Sequence, residues 1–195
     1  MQSLKTHHRI AVLAASLALV LTGSMNAAPV VPRPEHPRPD LLRENWLTLN
    51  GEWQFEIDQA ADGIARGLIH GKDLSGKIIV PFCPESKLSG LGLGNTRKFK
   101  DVWYRRSFEL PSAMQGKRIR LHFGGVDYQT WAYVNGQPAG THIGGSAAFD
   151  FEITKLLHAG PNEVVVKVLD DMSTGLQPLG KQSVDKSGGC SYTRT

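Results

Sequence analysis

The chain has 195 residues, 41% of them hydrophobic, with 21 glycines, two cysteines and a formal net charge of +4. That length is about one domain, and its Lys and Arg are scattered rather than massed, which argues against nucleic-acid binding. Two cysteines without further ligands at metal-site spacing argue against zinc.

The first 28 residues read as an export leader. Lys5, His7, His8 and Arg9 form a basic head. Ile10 to Leu21 is an apolar run broken only by Ser16, and Gly23, Ser24, Ala27 and Ala28 supply small residues near a cleavage point. This is the plan of a secretory signal peptide. The run is too short to span a bilayer as a helix, and no cysteine follows it to take a lipid. The expectation is a periplasmic or extracellular protein, free of the membrane once the leader is cut. In an exported chain, Cys83 and Cys190 invite a disulfide. Two separate thiols are the alternative, since sequence cannot show whether the two Cα atoms approach.

Residues 29–42 carry five prolines and no hydrophobic period, the mark of an extended linker. Leu47 to Ile57 reads as the first strand, Asn50-Gly51 turning into it, with Trp53, Phe55 and Ile57 on one face. Asp58 to Gly76 is polar and glycine-studded, a loop with room for a helical turn. Lys77 to Phe82 is a short apolar strand closed by Pro81 and Pro84. Glu85 to Phe99 is a rim loop. Its alternating Gly90, Gly92 and Gly94 do not form a phosphate cradle, because no helix follows.

Val102 to Asn135 holds three consecutive segments of period two. Val102, Tyr104, Arg106, Phe108 and Leu110 share one face of the first. Ile119, Leu121 and Phe123 alternate with Arg118, Arg120 and His122 in the second. Thr130, Ala132 and Val134 oppose Gln129, Trp131 and Tyr133 in the third, which runs into the hairpin pair Asn135-Gly136. Gln137 to Ile143 is the return arm. Phe149, Phe151 and Ile153 alternate with Asp150 and Glu152, and Thr154 is placed to cap a short helical turn. Val164 to Leu169 is apolar on both faces, as a buried central strand should be. From Asp170 onward periodicity stops, and Asp170-Asp171 reads as an exposed strand end. The class is all-β, an antiparallel sandwich.

Several of these stretches carry a resemblance: L-N-G-E-W-Q-F (Leu49 to Phe55), V-P-F-C-P-E-S-K-L-S-G (Val80 to Gly90), W-Y-R-R-S-F, L-H-F-G-G-V-D-Y, Y-V-N-G, F-D-F-E-I-T-K-L-L, N-E-V-V-V-K-V, G-K-Q and Y-T-R-T. In this order, from about Arg43 to Thr195, they resemble the N-terminal jelly-roll domain of glycoside hydrolase family 2, which includes β-galactosidases, β-glucuronidases and β-mannosidases. The resemblance implies a galactose-binding-like jelly-roll sandwich over 43–195 lacking its last strand. It also implies a fragment or truncated product of an exported retaining glycosidase that hydrolyses O-glycosidic bonds. A free-standing carbohydrate-binding module and a non-functional truncation are the alternatives.

Glycoside hydrolysis normally takes two carboxylates flanking the scissile bond. In the family both sit on a later barrel, so the resemblance implies no catalytic residue here and no cofactor. The implied partners are that barrel, within the same chain, and the β-glycoside or oligosaccharide it holds. The domain is expected to buttress the barrel and lend two loops to the sugar pocket. By position these bring Glu85 and Ser86 from one loop, and Tyr192 and Arg194 from the run Cys190 to Arg194. Some family members place an acidic residue where this chain has Cys190-Ser191-Tyr192. Asp150 and Glu152, roughly 7 Å apart by strand geometry, read as a solvated face, and Asp127 as a turn residue. Trp46, Trp53, Trp103 and Trp131 suggest a stacking platform at first sight. On alternating strands they read instead as core or interface residues.

Overall fold

A computed structural model describes residues 31–94 and 99–178. The leader, the C-terminal run with Cys190, Tyr192 and Arg194, and residues 95–98 lie outside the described residues. Eight strands follow in chain order: β1 (Gly51–Ile57), β2 (Gly76–Val80), β3 (Asp101–Phe108), β4 (Arg120–Phe123), β5 (Gln129–Val134), β6 (Gln137–Ile143), β7 (Phe149–Glu152) and β8 (Asn162–Leu169). Among the described residues the helices are three-residue 3-10 turns, and none is long and apolar enough to cross a membrane.

The strands form a six-stranded sheet in the order β2-β1-β3-β8-β5-β6, faced by the two-stranded sheet β4-β7. Every pairing is antiparallel. This is the expected jelly-roll sandwich. Its core lies between the sheets, where Trp53, Phe55, Ile78, Val102, Val134, Val164, Val166 and Val168 meet Ile119, Leu121 and Ile153. Burying one such side chain stabilises the fold by about 1.5–3 kcal/mol. β8 is central and buried on both faces, as its uninterrupted Val164-Val165-Val166 run requires. The Asn135-Gly136 turn has φ of 51° and 76°, the positive values a two-residue hairpin turn needs.

Three expectations change. The Asp58–Gly76 stretch is a lid over the outer face of the large sheet, not an idle loop. Its Leu68 and Leu74 pack with Trp103 and Val165 in a second core. Without this cover, Trp103 and Arg105 would stand in water on the outer side of β3. Instead they are 0% and 3% exposed, and Arg105 donates to the Leu68 carbonyl (2.5 Å) and Glu163 (3.1 Å). Second, Thr154 does not cap its helical turn. Its Oγ1 accepts from the Ile119 amide (2.9 Å), tying the end of β7 to the entry of β4. Third, Asp170 is buried rather than exposed, because the chain folds back after β8 and Gln177 donates to its Oδ1 (2.6 Å).

Candidate functional site

The sandwich is open along one side. Between the sheets and the 33–50 arm runs a cleft of about 1750 Å³, with core residues such as Trp53, Tyr104, Phe108 and Phe123 in its wall and Arg120, His122 and Asp150 near β4. Trp46 of the arm lies edge-on to His122, ring centroids 6.1 Å apart, and His36 lies 4.4 Å from Trp46. The arm therefore folds against β4, and the proline-rich stretch is no free linker along its whole length.

Glu85 and Ser86 lie in the segment that leaves β2 and crosses to the start of β3. The segment is built by turn hydrogen bonds. Ser86 Oγ accepts from the Leu88 amide (3.1 Å), capping a 3-10 turn over Lys87–Ser89, and the Ser86 carbonyl accepts from Ser89 Oγ (2.7 Å). The Gly94 amide donates to the Glu85 carbonyl (3.2 Å), closing the loop on itself. Glu85 and Ser86 are half-buried, and Leu88 projects with 65% exposure. Cys83 is half-buried at the base of this loop, while its expected partner Cys190 lies outside the described residues. Tyr192 and Arg194 lie there too.

The strand carboxylates are not a catalytic pair. Arg120 binds Asp150 through both Nε and Nη2, and in the β4-β7 register it stands opposite Glu152. They form a salt-bridged, solvent-facing row. Among the described residues no group of three His, Cys, Asp or Glu side chains converges as a metal site.

Polar order concentrates instead in two places, one at the Asp170-Asp171 strand end that the sequence read only as exposed, the other not singled out at all. At the end where β3 begins and β8 stops, Lys100 pairs with Asp171 (2.7 Å), and the Asp171 amide donates to Gln177 (2.9 Å). Lys100, then the Ser173 hydroxyl and amide, hold the Asp171 carboxyl well below the usual carboxylate range. Under the lid, Asp58 Oδ2 accepts from Trp103 Nε1 (3.0 Å) and the Gly63 amide (2.8 Å), and Arg66 reaches Glu56, Asp58 and Asp62 together. The four-residue spacing of Asp62 and Arg66 was the one visible hint of this second network. Both sets of bonds fix loops, and neither offers a reactive geometry.

Residues 95–177 match the family described as glycosyl hydrolases family 2, sugar binding domain. Among curated proteins, the chain is 27% identical over 143 residues to a β-glucuronidase of Paenibacillus borealis, covering 73% of this chain and 24% of that protein. It is 30% identical over 140 residues to a β-glucuronidase of Bacteroides fragilis, covering 68% and 18%. A match to a β-galactosidase of Thermoanaerobacter pseudethanolicus is 38% identical over 69 residues, covering 35% and 9%. Among solved structures, Lactobacillus rhamnosus β-glucuronidase superposes with a TM-score of 0.57 at 32% identity, over 64% of this chain and 21% of that one. Residues 95–177 carry the sugar binding domain of glycosyl hydrolases family 2, and the fold around them is similar to the matching part of a β-glucuronidase. The chain spans less than a quarter of the length of the curated relatives named here.

Proposed function

We propose that this chain is the non-catalytic N-terminal sandwich of an exported, retaining β-glycosidase acting on glucuronides or galactosides. Its work is to buttress the catalytic barrel and to lend the loops at Glu85-Ser86 and Tyr192–Arg194 to the sugar pocket. The observation that supports this best is the match in order and in fold to β-glucuronidases over about two thirds of the chain. The basic-apolar-small pattern of the first 28 residues supports export.

Reading the encoding DNA past the Thr195 codon tests the proposal. A frame that continues into a barrel bearing two glutamates is expected, and the full product should hydrolyse 4-nitrophenyl β-glucuronide or β-galactoside. A stop codon at that point would remove glycosidase activity from this product. N-terminal sequencing of the secreted protein should begin near Ala28. An intact N-terminus in a cytosolic fraction would overturn export.

A further inference from the structure

The outer face of the large sheet is only partly covered by the lid. In register, one row crosses four strands: Trp103 on β3, Lys167 on β8, Trp131 on β5 and Thr141 on β6. The lid residues Leu68, Ile69 and Leu74 pack with Trp103, Val165 and Tyr133. Trp131 is not in that cluster. It is half-buried, and its neighbour Thr141 on the edge strand is exposed. Beside them, Gln129 on β5 pairs with Ile143 on β6, which is 62% exposed.

The indole is held in place by its neighbour on β8. Lys167 Nζ lies 5.0 Å from the Trp131 ring centroid and 6.0 Å from that of Trp103, and pairs with Asp101 at 3.0 Å. Asp101 is itself 7% exposed, so a buried carboxylate fixes the ammonium over the ring. Cation–π contact and the ion pair both keep this arrangement rigid. The result is a partly exposed, fixed indole one strand in from the sheet edge, with the Gln129 amide on its own strand and the Thr141 hydroxyl opposite it on the edge strand. A pyranose ring offers the complement: C–H groups on its face and hydroxyls around its rim. The Lys167–Asp101 pair balances its own charge, which matches a neutral sugar rather than a uronate. A glucose-configured ring, with every substituent equatorial, has the broadest C–H face. Because the strands already hold the platform, little entropy is lost on binding.

We propose that Trp131 is the stacking platform of a second, non-catalytic site for a neutral, glucose-configured glycan. The site is built wholly from β3, β5, β6 and β8 and needs no residue of a catalytic domain, so it stands or falls apart from the proposed glycosidase role.

The test is titration of the full 195-residue chain with cellohexaose, followed by the indole N–H signals of the four tryptophans in a ¹⁵N-labelled sample. The Trp131 signal is expected to shift saturably at up to millimolar sugar, while those of Trp53 and Trp103 stay in place. Trp131→Ala should abolish binding, and Trp131→Phe should keep a weakened form with an unchanged melting transition, which separates loss of the platform from loss of the fold. A hexamer of β-1,4-linked galactose, with its axial 4-oxygen, should bind at least several-fold more weakly. A Trp131 signal indifferent to cellohexaose, or binding that survives in folded Trp131→Ala, would overturn the proposal.

Discussion

Asp58 shows how one side chain can decide whether a loop becomes part of the core. Burial pushes its carboxyl up, but hydrogen bonds from Trp103, the Gly63 amide, Arg66 and the Asp62 amide outweigh that and leave it below its ordinary value. A carboxyl depressed in the folded state adds stability above its unfolded pKa of about 4, and loses it as the pH falls further. Asp58→Asn keeps the shape but weakens the charge-assisted bonds, and should cost about 1–3 kcal/mol at pH 7. Urea midpoints should show this gap narrowing as the pH falls below the ordinary carboxylate value of about 4, and a gap independent of pH would count against the account. Gly63 is the counterpart. A Cβ there would stand 2.5 Å from Trp103 Nε1 and 2.7 Å from Asp58 Oδ2. Gly63→Ala must therefore push the lid off the indole, at a cost of about 1–3 kcal/mol. The near-ultraviolet circular dichroism of the tryptophans should fall with it, while far-ultraviolet strand signal persists.

Among the elements, the β5-β6 hairpin is tied to the rest of the sandwich by the side chain of its turn residue. Asn135 Nδ2 donates to the Leu156 carbonyl (2.8 Å) and to Asn162 Oδ1 (2.7 Å), and its Oδ1 accepts from the Glu163 amide (2.9 Å). Asn162 passes the link on to the His158 and Gly160 carbonyls. Two variants separate these bonds from the turn's positive φ. Asn135→Gly keeps the conformation and loses the bonds, at about 1–3 kcal/mol. Asn135→Ala loses both and should be less stable by a further 1 kcal/mol or about that. Equal melting temperatures for the two would mean that φ contributes nothing. The turn itself was legible from Asn-Gly after an alternating run, and β1, β3, β4, β5 and β7 were legible because a sheet with one buried face writes its period into the sequence, whereas β2 and β8 showed as apolar runs and β6 as the return arm of the hairpin. The lid was not, because Leu68, Ile69 and Leu74 follow neither period and are fastened by polar contacts to residues far along the chain. Asp170 was misread for a related reason. Nothing local announces that Gln177, seven residues on, will turn back to meet it.

At the scale of the molecule, the two sheets are unequal, six strands against two. β4 and β7 cannot cover the inner face of six strands, and the uncovered part forms the wall of the open cleft. Trp53 and Val102 are nonetheless nearly inaccessible, at 6% and 5%, while Tyr104, Phe108 and Phe123 are only half-buried. An apolar wall of this kind is what a partner domain or a further strand would cover, and until covered it should take up an apolar dye. The 195-residue chain at pH 7 should therefore enhance the fluorescence of anilinonaphthalene sulfonate while keeping near-ultraviolet dichroism and a cooperative melt. That combination separates an open cleft in a packed fold from a molten globule, which binds the dye but loses the near-ultraviolet signal. Phe108→Ser, placed on the cleft wall, should reduce the enhancement several-fold, whereas Trp131→Phe on the opposite face of the sheet should leave it unchanged. Dye binding equal in all three proteins would mean that the dye sits elsewhere and that the cleft is closed in solution. If the enhancement disappears in a longer product that carries the catalytic barrel proposed above, the cleft is the surface on which that barrel would be seated.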